Sequence, residues 1–440
     1  MGRVEVWRRP PWWTLALIIG LSLLAYLWAF DVPMIADTYV QVRLARDFGP
    51  VSGWPSLAAD ALYRCRATSL VLTYWTERWF GFDMTPFRWS SLALHILNAW
   101  LICWLGRWSV IGWRVAVVAA CFFAFCHQHQ EAVVWYAALP ELLVFFFSMA
   151  SLLFWLAWLQ GRSRAWLPYA VSFACFVLAL LSKESAVVVV PLLGLVLLTE
   201  RSDWRKCLPW LVPFAALAVL YYAAIHAAKA THLHFNDAGT FTLGWHFVEV
   251  LVRSTGRLFW FWGFLCLLAL AAWRAGQWKK LLAVAAVWIA VTLLPYSFLT
   301  YMPFVPSRHT YFASVGLAFV VAAAWLSFHE RFRARPWALW ALSAVLLVHH
   351  CGYLWTRKQQ QYVERAQPTE TVVQCVRGLE GPVYIRCFPY DFSVAQFAIE
   401  MRVGGNIQAV PAAAGAPTGR KPLIDLCEAK AAPCEVPPGA

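Results

Sequence analysis

The chain has 440 residues, 61% of them hydrophobic and only 13% charged, with a formal net charge of +13. Water-soluble domains carry about a quarter charged residues, so this composition excludes an ordinary soluble globule and points to a polytopic membrane protein. A nucleic-acid partner is excluded too, because the basic residues sit in short links at every second connection between apolar runs, the pattern of cytoplasmic turns. Those links hold Arg107 and Arg114, then Arg162 and Arg164, then Arg201, Arg205 and Lys206, then Arg274, Lys279 and Lys280, and last Arg331, Arg333 and Arg335.

In chain order, runs near 12–30, 87–105, 114–127, 140–159, 166–182, 185–199, 208–226, 258–273, 281–298, 311–328 and 337–354 are apolar enough to predict about 11 spans. Arg3, Arg8 and Arg9 lead the first run and put the N-terminus in the cytoplasm, and an odd number of spans leaves the C-terminus outside. The first outer loop, 31–86, contains two amphipathic stretches, Thr38 to Asp47 and Ser69 to Phe80, expected as interfacial helices. Ser182-Lys183-Glu184 is expected as a tight outer turn. Two further outer loops are 227–257 and 299–310.

Past Trp355 the apolar runs stop, which divides the chain into a transmembrane domain, 1–355, and an extracytoplasmic C-terminal domain, 356–440. There, Val372 to Gly378 reads as helix, Pro382 to Phe388 as strand and Phe392 to Met401 as helix. This predicts a small α/β unit, with a Pro/Ala-rich tail after Val410. Cys375, Cys387, Cys427 and Cys434 are consistent with one or two disulfides, which need an oxidising compartment. The high Ala, Trp and Arg content fits a bacterial inner membrane.

The polar groups able to do chemistry gather on the outer side. Asp37 follows the first run; Arg64 lies deeper in the first loop; His127, His129 and Glu131 leave the third run. Lys183 and Glu184 form the outer turn, and Arg308 and His309 precede the tenth run. A carboxylate at the membrane boundary is costly to desolvate and suited to chemistry on a lipid-borne substrate. Each residue also has a structural role open to it. Asp37 starts a helix and is as well placed to cap it as to act as a base. His127, His129 and Glu131 alternate as metal ligands do, but two such histidines more often hydrogen-bond a loop. Lys183 and Glu184 can pair with each other, and His95 and Asn98 read as interhelical hydrogen-bonding groups.

Five segments in order carry a resemblance. They are Leu62-Tyr-Arg64, Leu94-His95-Ile-Leu-Asn98-Ala, His129-Gln-Glu131-Ala-Val-Val-Trp135, Leu180-Leu-Ser-Lys183-Glu184-Ser-Ala-Val, and Arg308-His-Thr-Tyr311-Phe-Ala-Ser314-Val-Gly316. Over roughly residues 12–330 the chain resembles GT-C fold glycosyltransferases. It is most similar to the mannosyltransferase-like branch that often carries tetratricopeptide repeats. Protein O-mannosyltransferases and aminoarabinose transferases are more distant. The resemblance implies an all-helical GT-C-like membrane fold and an enzyme taking a sugar from a polyprenyl-phosphate donor to an extracytoplasmic acceptor: a protein, a lipid or a glycan. It implies Asp37 as base and Glu131 as a second acid. Arg64, His129, Lys183, Glu184, Arg308 and His309 are then the substrate-binding residues. The chain departs from the pattern at Thr38, where the branch often has a second acid, at Cys65, where proline is usual, and at Cys126-His127. No residue is assigned to a metal, and a divalent cation stays open as a cofactor. A lipid or sugar transporter and a non-catalytic binder of polyprenyl phosphate are the competing readings.

Overall fold

A computed structural model describes residues 9–50, 55–161, 166–201, 203–237, 239–300, 302–412, 423–427 and 434–435. Arg3, Arg8, Arg162, Arg164 and most of the Pro/Ala-rich tail lie outside these. Each expected apolar run is helical. Among the described residues seven segments are long and apolar enough to cross a membrane: Trp13–Asp31, Met84–Arg107, Tyr136–Gln160, Trp204–Ala227, His246–Ala272, Gly276–Ser297 and Pro336–Cys375. Gly112–Phe125 and Trp166–Leu180 are shorter apolar helices, so length and composition establish fewer than the expected 11 spans.

The Ser314–Arg331 helix lies at the centre, packed against Gly112–Phe125, Lys279–Ser297 and His246–Ala272. Lipid tails are as apolar as leucine, so helices in a bilayer gain by close approach at small residues rather than by hiding from water. Gly316 makes such an approach: a Cβ there would stand 2.5 Å from Ile289 Cγ1 and 2.8 Å from the Ala285 carbonyl oxygen. Polar side chains then join the helices. His95 Nε2 donates to the Ala124 carbonyl at 3.1 Å, and its Nδ1 accepts from the Tyr311 hydroxyl at 2.9 Å. Asn98 Nδ2 reaches the Leu142 carbonyl at 3.0 Å and Tyr311 at 3.2 Å. His95 and Asn98 therefore serve as interhelical hydrogen-bonding groups.

Both stretches of the first loop are helical. Asp37–Phe48 buries Thr38, Tyr39, Gln41, Val42 and Ala45 and ends at Gly49, whose φ of 71° a side chain would disfavour. Ala67–Phe80 buries Ser69, Leu70, Thr73 and Thr76, and Gln41 joins the two helices through Thr73 at 3.3 Å.

The last span does not stop where the composition changes. Pro336–Tyr353 continues through one wide turn, Leu354–Lys358, into Gln359–Cys375, so the 355/356 boundary lies inside a continuous helix. That helix leads into a sheet of order β2-β1-β3-β4, formed by β1 Gly381–Arg386, β2 Ile407–Pro411, β3 Leu423–Asp425 and β4 Cys434–Glu435. β1 is parallel to β2 and β3, and Phe392–Arg402 is the crossover helix that parallel pairing requires. Val383, Ile385, Ala395, Ile399, Ile407 and Ile424 form its core. Cys387 and Cys427 are joined by a disulfide, and Cys375 is also disulfide-bonded. The unit docks on the first loop through Arg43 to Glu400 at 3.0 Å and Arg402 to the Tyr39 hydroxyl at 3.3 Å.

Candidate active site

The Asp37–Phe48 helix begins at Asp37 itself. Its N-cap is Ala36, and no side chain caps it, so Asp37 is not used as a cap. Among the described residues the Asp37 side chain has no hydrogen bond or ion pair. Asp37 is exposed, and the charges of Arg308 and Arg365 reach its carboxylate. Burial pushes its pKa up, Arg308 and Arg365 pull it down, Asp391 pushes it up again, and the net shift is upward. A raised carboxylate binds a proton more readily, which a general base needs.

Opposite stands a bracket built on Glu131, which lies between the Gly112–Phe125 and Leu139–Gln160 helices and is 7% exposed. Arg308 Nη1 donates to Glu131 Oε1 at 3.0 Å and Arg365 Nη1 donates to the same oxygen at 3.3 Å. The Ser307 hydroxyl donates to Oε2 at 3.2 Å. Both guanidinium carbons lie 4.9 Å from the centre of the Trp135 ring, so one indole ring and one carboxylate hold two arginines in place. Burial alone would raise the Glu131 pKa; Arg308 and Arg365 outweigh it, so Glu131 is held ionised below its ordinary range. It is a counter-ion for the arginines rather than a proton donor.

Lys183 and His309 lie in a neighbouring buried network centred on Glu141. The Lys183 ammonium pairs with Glu141, His309 Nδ1 donates to it at 2.5 Å, and the Tyr296 hydroxyl donates to it at 2.8 Å. His309 also stacks on Tyr296 with ring centres 4.3 Å apart. Burial, with the nearby Lys183 charge, pushes His309 down to about 3, which keeps it neutral.

The other expected contacts are held elsewhere. Glu184 pairs with Arg66 at 2.7 Å, not with Lys183. Arg64 is buried and donates to the Leu57 carbonyl at 2.6 Å and the Ala58 carbonyl at 2.7 Å, bracing its own loop. His129 is fully buried among Phe123, His95 and Tyr311. Of the expected site residues, the structure therefore brings together Asp37, Glu131 and Arg308. Sequence reasoning missed Arg365, which lies where the composition had turned ordinary. It also missed Glu141, although an acid inside an apolar run was a usable signal.

Among the described residues two clusters have metal-ligand composition: Cys65, Glu184 and His232, and His127, His349 and His350. Hydrogen bonds already engage several of these atoms. His232 Nδ1 accepts the backbone N–H groups of His234 and Phe235, at 3.0 and 3.2 Å, and Arg66 occupies Glu184. His349 Nδ1 accepts from the Trp262 indole at 3.0 Å, while His127 and His350 face each other through their Nδ1 atoms at 2.8 Å.

Residues 72–226, about a third of the chain, match the family described as dolichyl-phosphate-mannose-protein mannosyltransferase. No curated protein sequence matches the chain. Among solved structures, the apo oligosaccharyltransferase of Archaeoglobus fulgidus is similar, with 11% identity and a TM-score of 0.54 over 91% of this chain and 64% of that one. The same organism's AglB, in complex with an inhibitory peptide and a dolichol-phosphate, aligns at 11% identity and 0.54, over 90% of this chain and 64% of that one. ArnT from Cupriavidus metallidurans bound to undecaprenyl phosphate aligns at 13% identity and 0.52, over 89% and 85% of the two chains. The chain thus spans less than two thirds of the oligosaccharyltransferase's length. These likenesses are of fold: the chain is an integral membrane protein with a GT-C-like helical fold.

Proposed function

We propose that this GT-C-fold chain is a glycosyltransferase that moves a sugar from a polyprenyl-phosphate donor to an extracytoplasmic acceptor, with Asp37 as general base. The observation that carries it is a solvent-reached carboxylate without hydrogen-bond partners, acted on by two arginines that Glu131 and Trp135 hold fixed. The match to a dolichyl-phosphate-mannose family and the fold shared with proteins solved in complex with undecaprenyl phosphate and dolichol-phosphate support the donor class.

In this mechanism the acceptor O–H or N–H gives its proton to Asp37 as its heteroatom bonds to the anomeric carbon. The bond from that carbon to the phosphate oxygen breaks, and its electron pair leaves on the phosphate. The departing phosphate is a weak base, so no carboxylic acid must protonate it, in contrast to glycoside hydrolysis. Arg308 and Arg365 stabilise the charge that appears there. Attack opposite the phosphate inverts the anomeric centre. The acceptor is a protein, a lipid or a glycan, and the site faces away from the cytoplasm in a bacterial inner membrane.

Asp37→Asn tests the reading. With labelled polyprenyl-phosphate sugars, transfer should fall by about a hundredfold or more while lipid binding is kept. Undiminished transfer in the variant would remove Asp37 from the chemistry. Binding without transfer in the parent protein would favour a non-catalytic lipid binder.

A further inference from the structure

Arg88 lies near the start of the Met84–Trp104 helix, which Asp83 caps by accepting from the Thr85 N–H at 3.1 Å. Its side chain is only 6% exposed, and no carboxylate among the described residues pairs with it. A buried cation without a counter-ion is costly, and an apolar residue of similar volume often packs in such a place without that cost. The reason for an arginine here lies in what its donors hold.

Nη2 donates to the Val32 carbonyl at 3.1 Å and to the Pro33 carbonyl at 3.2 Å, while Nη1 donates to the Val134 carbonyl. Val32 and Pro33 belong to the link between the first span and the Asp37–Phe48 helix. Residues 32–35 of that link have neither helical nor strand pairing of their own. Val134 ends the short Gln130–Val134 helix, between Glu131 and the Trp135 ring that holds Arg308 and Arg365. One planar fork thus ties the approach to Asp37 to the backbone of the Glu131 bracket. A lysine could not do this, because its ammonium is a point donor on a flexible stem.

We propose that Arg88 is a positioning residue for transfer: its guanidinium fixes the segment leading to Asp37 against the segment carrying Glu131 and Trp135. The inference rests on the transferase reading and adds to it a residue that acts through others. Reaction geometry is steep in distance, and a misplacement of about 1 Å can cost about a hundredfold in rate. Without the fork, the irregular link is free to shift and to carry Asp37 away from the two arginines. The Asp37 pKa reports that placement, since burial raises it, Arg308 and Arg365 lower it and Asp391 raises it again.

The test uses full-length protein in lipid nanodiscs and Arg88→Lys, which keeps the charge and loses the fork. With labelled polyprenyl-phosphate sugars, transfer per folded protein should fall by about tenfold or more, while polyprenyl phosphate binds as it does to the parent. A second readout needs no transfer: the pH dependence of carbodiimide labelling at Asp37, followed by peptide mass. Its midpoint should move down toward the ordinary aspartate value of about 3.9, because a loosened link lets more water reach the carboxylate. Transfer at the parent rate, or a midpoint that stays in place, would overturn the assignment. So would a loss of transfer that only follows the loss of folded protein. Arg88→Met, which keeps the volume, is measured instead if the Lys variant does not fold; failure of both to fold makes Arg88 a folding requirement and also overturns the role. The two readings fail separately. A parent protein that transfers no sugar sinks the transferase whatever the labelling shows, and a variant that transfers as fast as an active parent sinks the positioning role alone.

Discussion

At the scale of single residues, the site is governed by which carboxylates are already neutralised. Asp37 is left unpaired and raised, Glu131 is committed to two arginines, and Glu141 to Lys183, His309 and Tyr296. A base must be ionised to act, so the acid limb of the pH–rate profile follows Asp37. Because its pKa lies above the ordinary aspartate value, activity should fall, as pH drops, at a higher pH than an unperturbed aspartate at about 3.9 would give. A profile flat down to that ordinary value would count against Asp37 as the base. Glu141→Gln should cost about 3–5 kcal/mol of stability, because it strands the buried Lys183 charge; thermal unfolding in detergent measures it.

At the scale of elements, close approach and broken helices matter most. The Ser314–Arg331 helix can lie against Lys279–Ser297 because Gly316 has no side chain. Gly316→Val should destabilise by about 1–3 kcal/mol or more through overpacking, read as a lower midpoint of unfolding. The short segments between the long helices follow the same logic. Asp37–Phe48 turns Thr38, Tyr39, Gln41, Val42 and Ala45 inward, and its exposed first residue follows a segment in which Val32, Met34, Ile35 and Ala36 are buried. The amphipathic pattern made that helix legible in the sequence. It did not reveal that Arg64, a few turns away, braces backbone carbonyls instead of facing Asp37, because one-dimensional periodicity carries no information on which way a loop folds back.

At the scale of the whole molecule, the C-terminal unit is a wall of the site rather than an appendage. The continuous helix from Pro336 to Cys375 carries Lys358 and Arg365, and the Tyr390 hydroxyl holds the Arg365 carbonyl at 2.5 Å. Truncation after Trp355 should therefore abolish transfer even where the remaining membrane helices stay folded. Sugar transfer by the truncated protein, at the rate of the full chain, would refute this. Reversing the exposed Arg43–Glu400 pair alone should cost no more than about 1 kcal/mol, since such pairs are solvated and screened.

The sequence was enough to recognise a helical membrane protein, the small C-terminal α/β unit and the likeness to GT-C proteins, because each is a local or ordered property of the chain. The sequence also nominated Asp37, Glu131 and Arg308, since a few polar groups at one surface of an apolar chain are conspicuous. It could not pair them. Arg365 joins Glu131 across 234 positions, and Lys183 turns to Glu141 rather than to the adjacent Glu184. Those partnerships are set by three-dimensional packing, where a buried charge goes to whichever counter-charge the helices bring within reach.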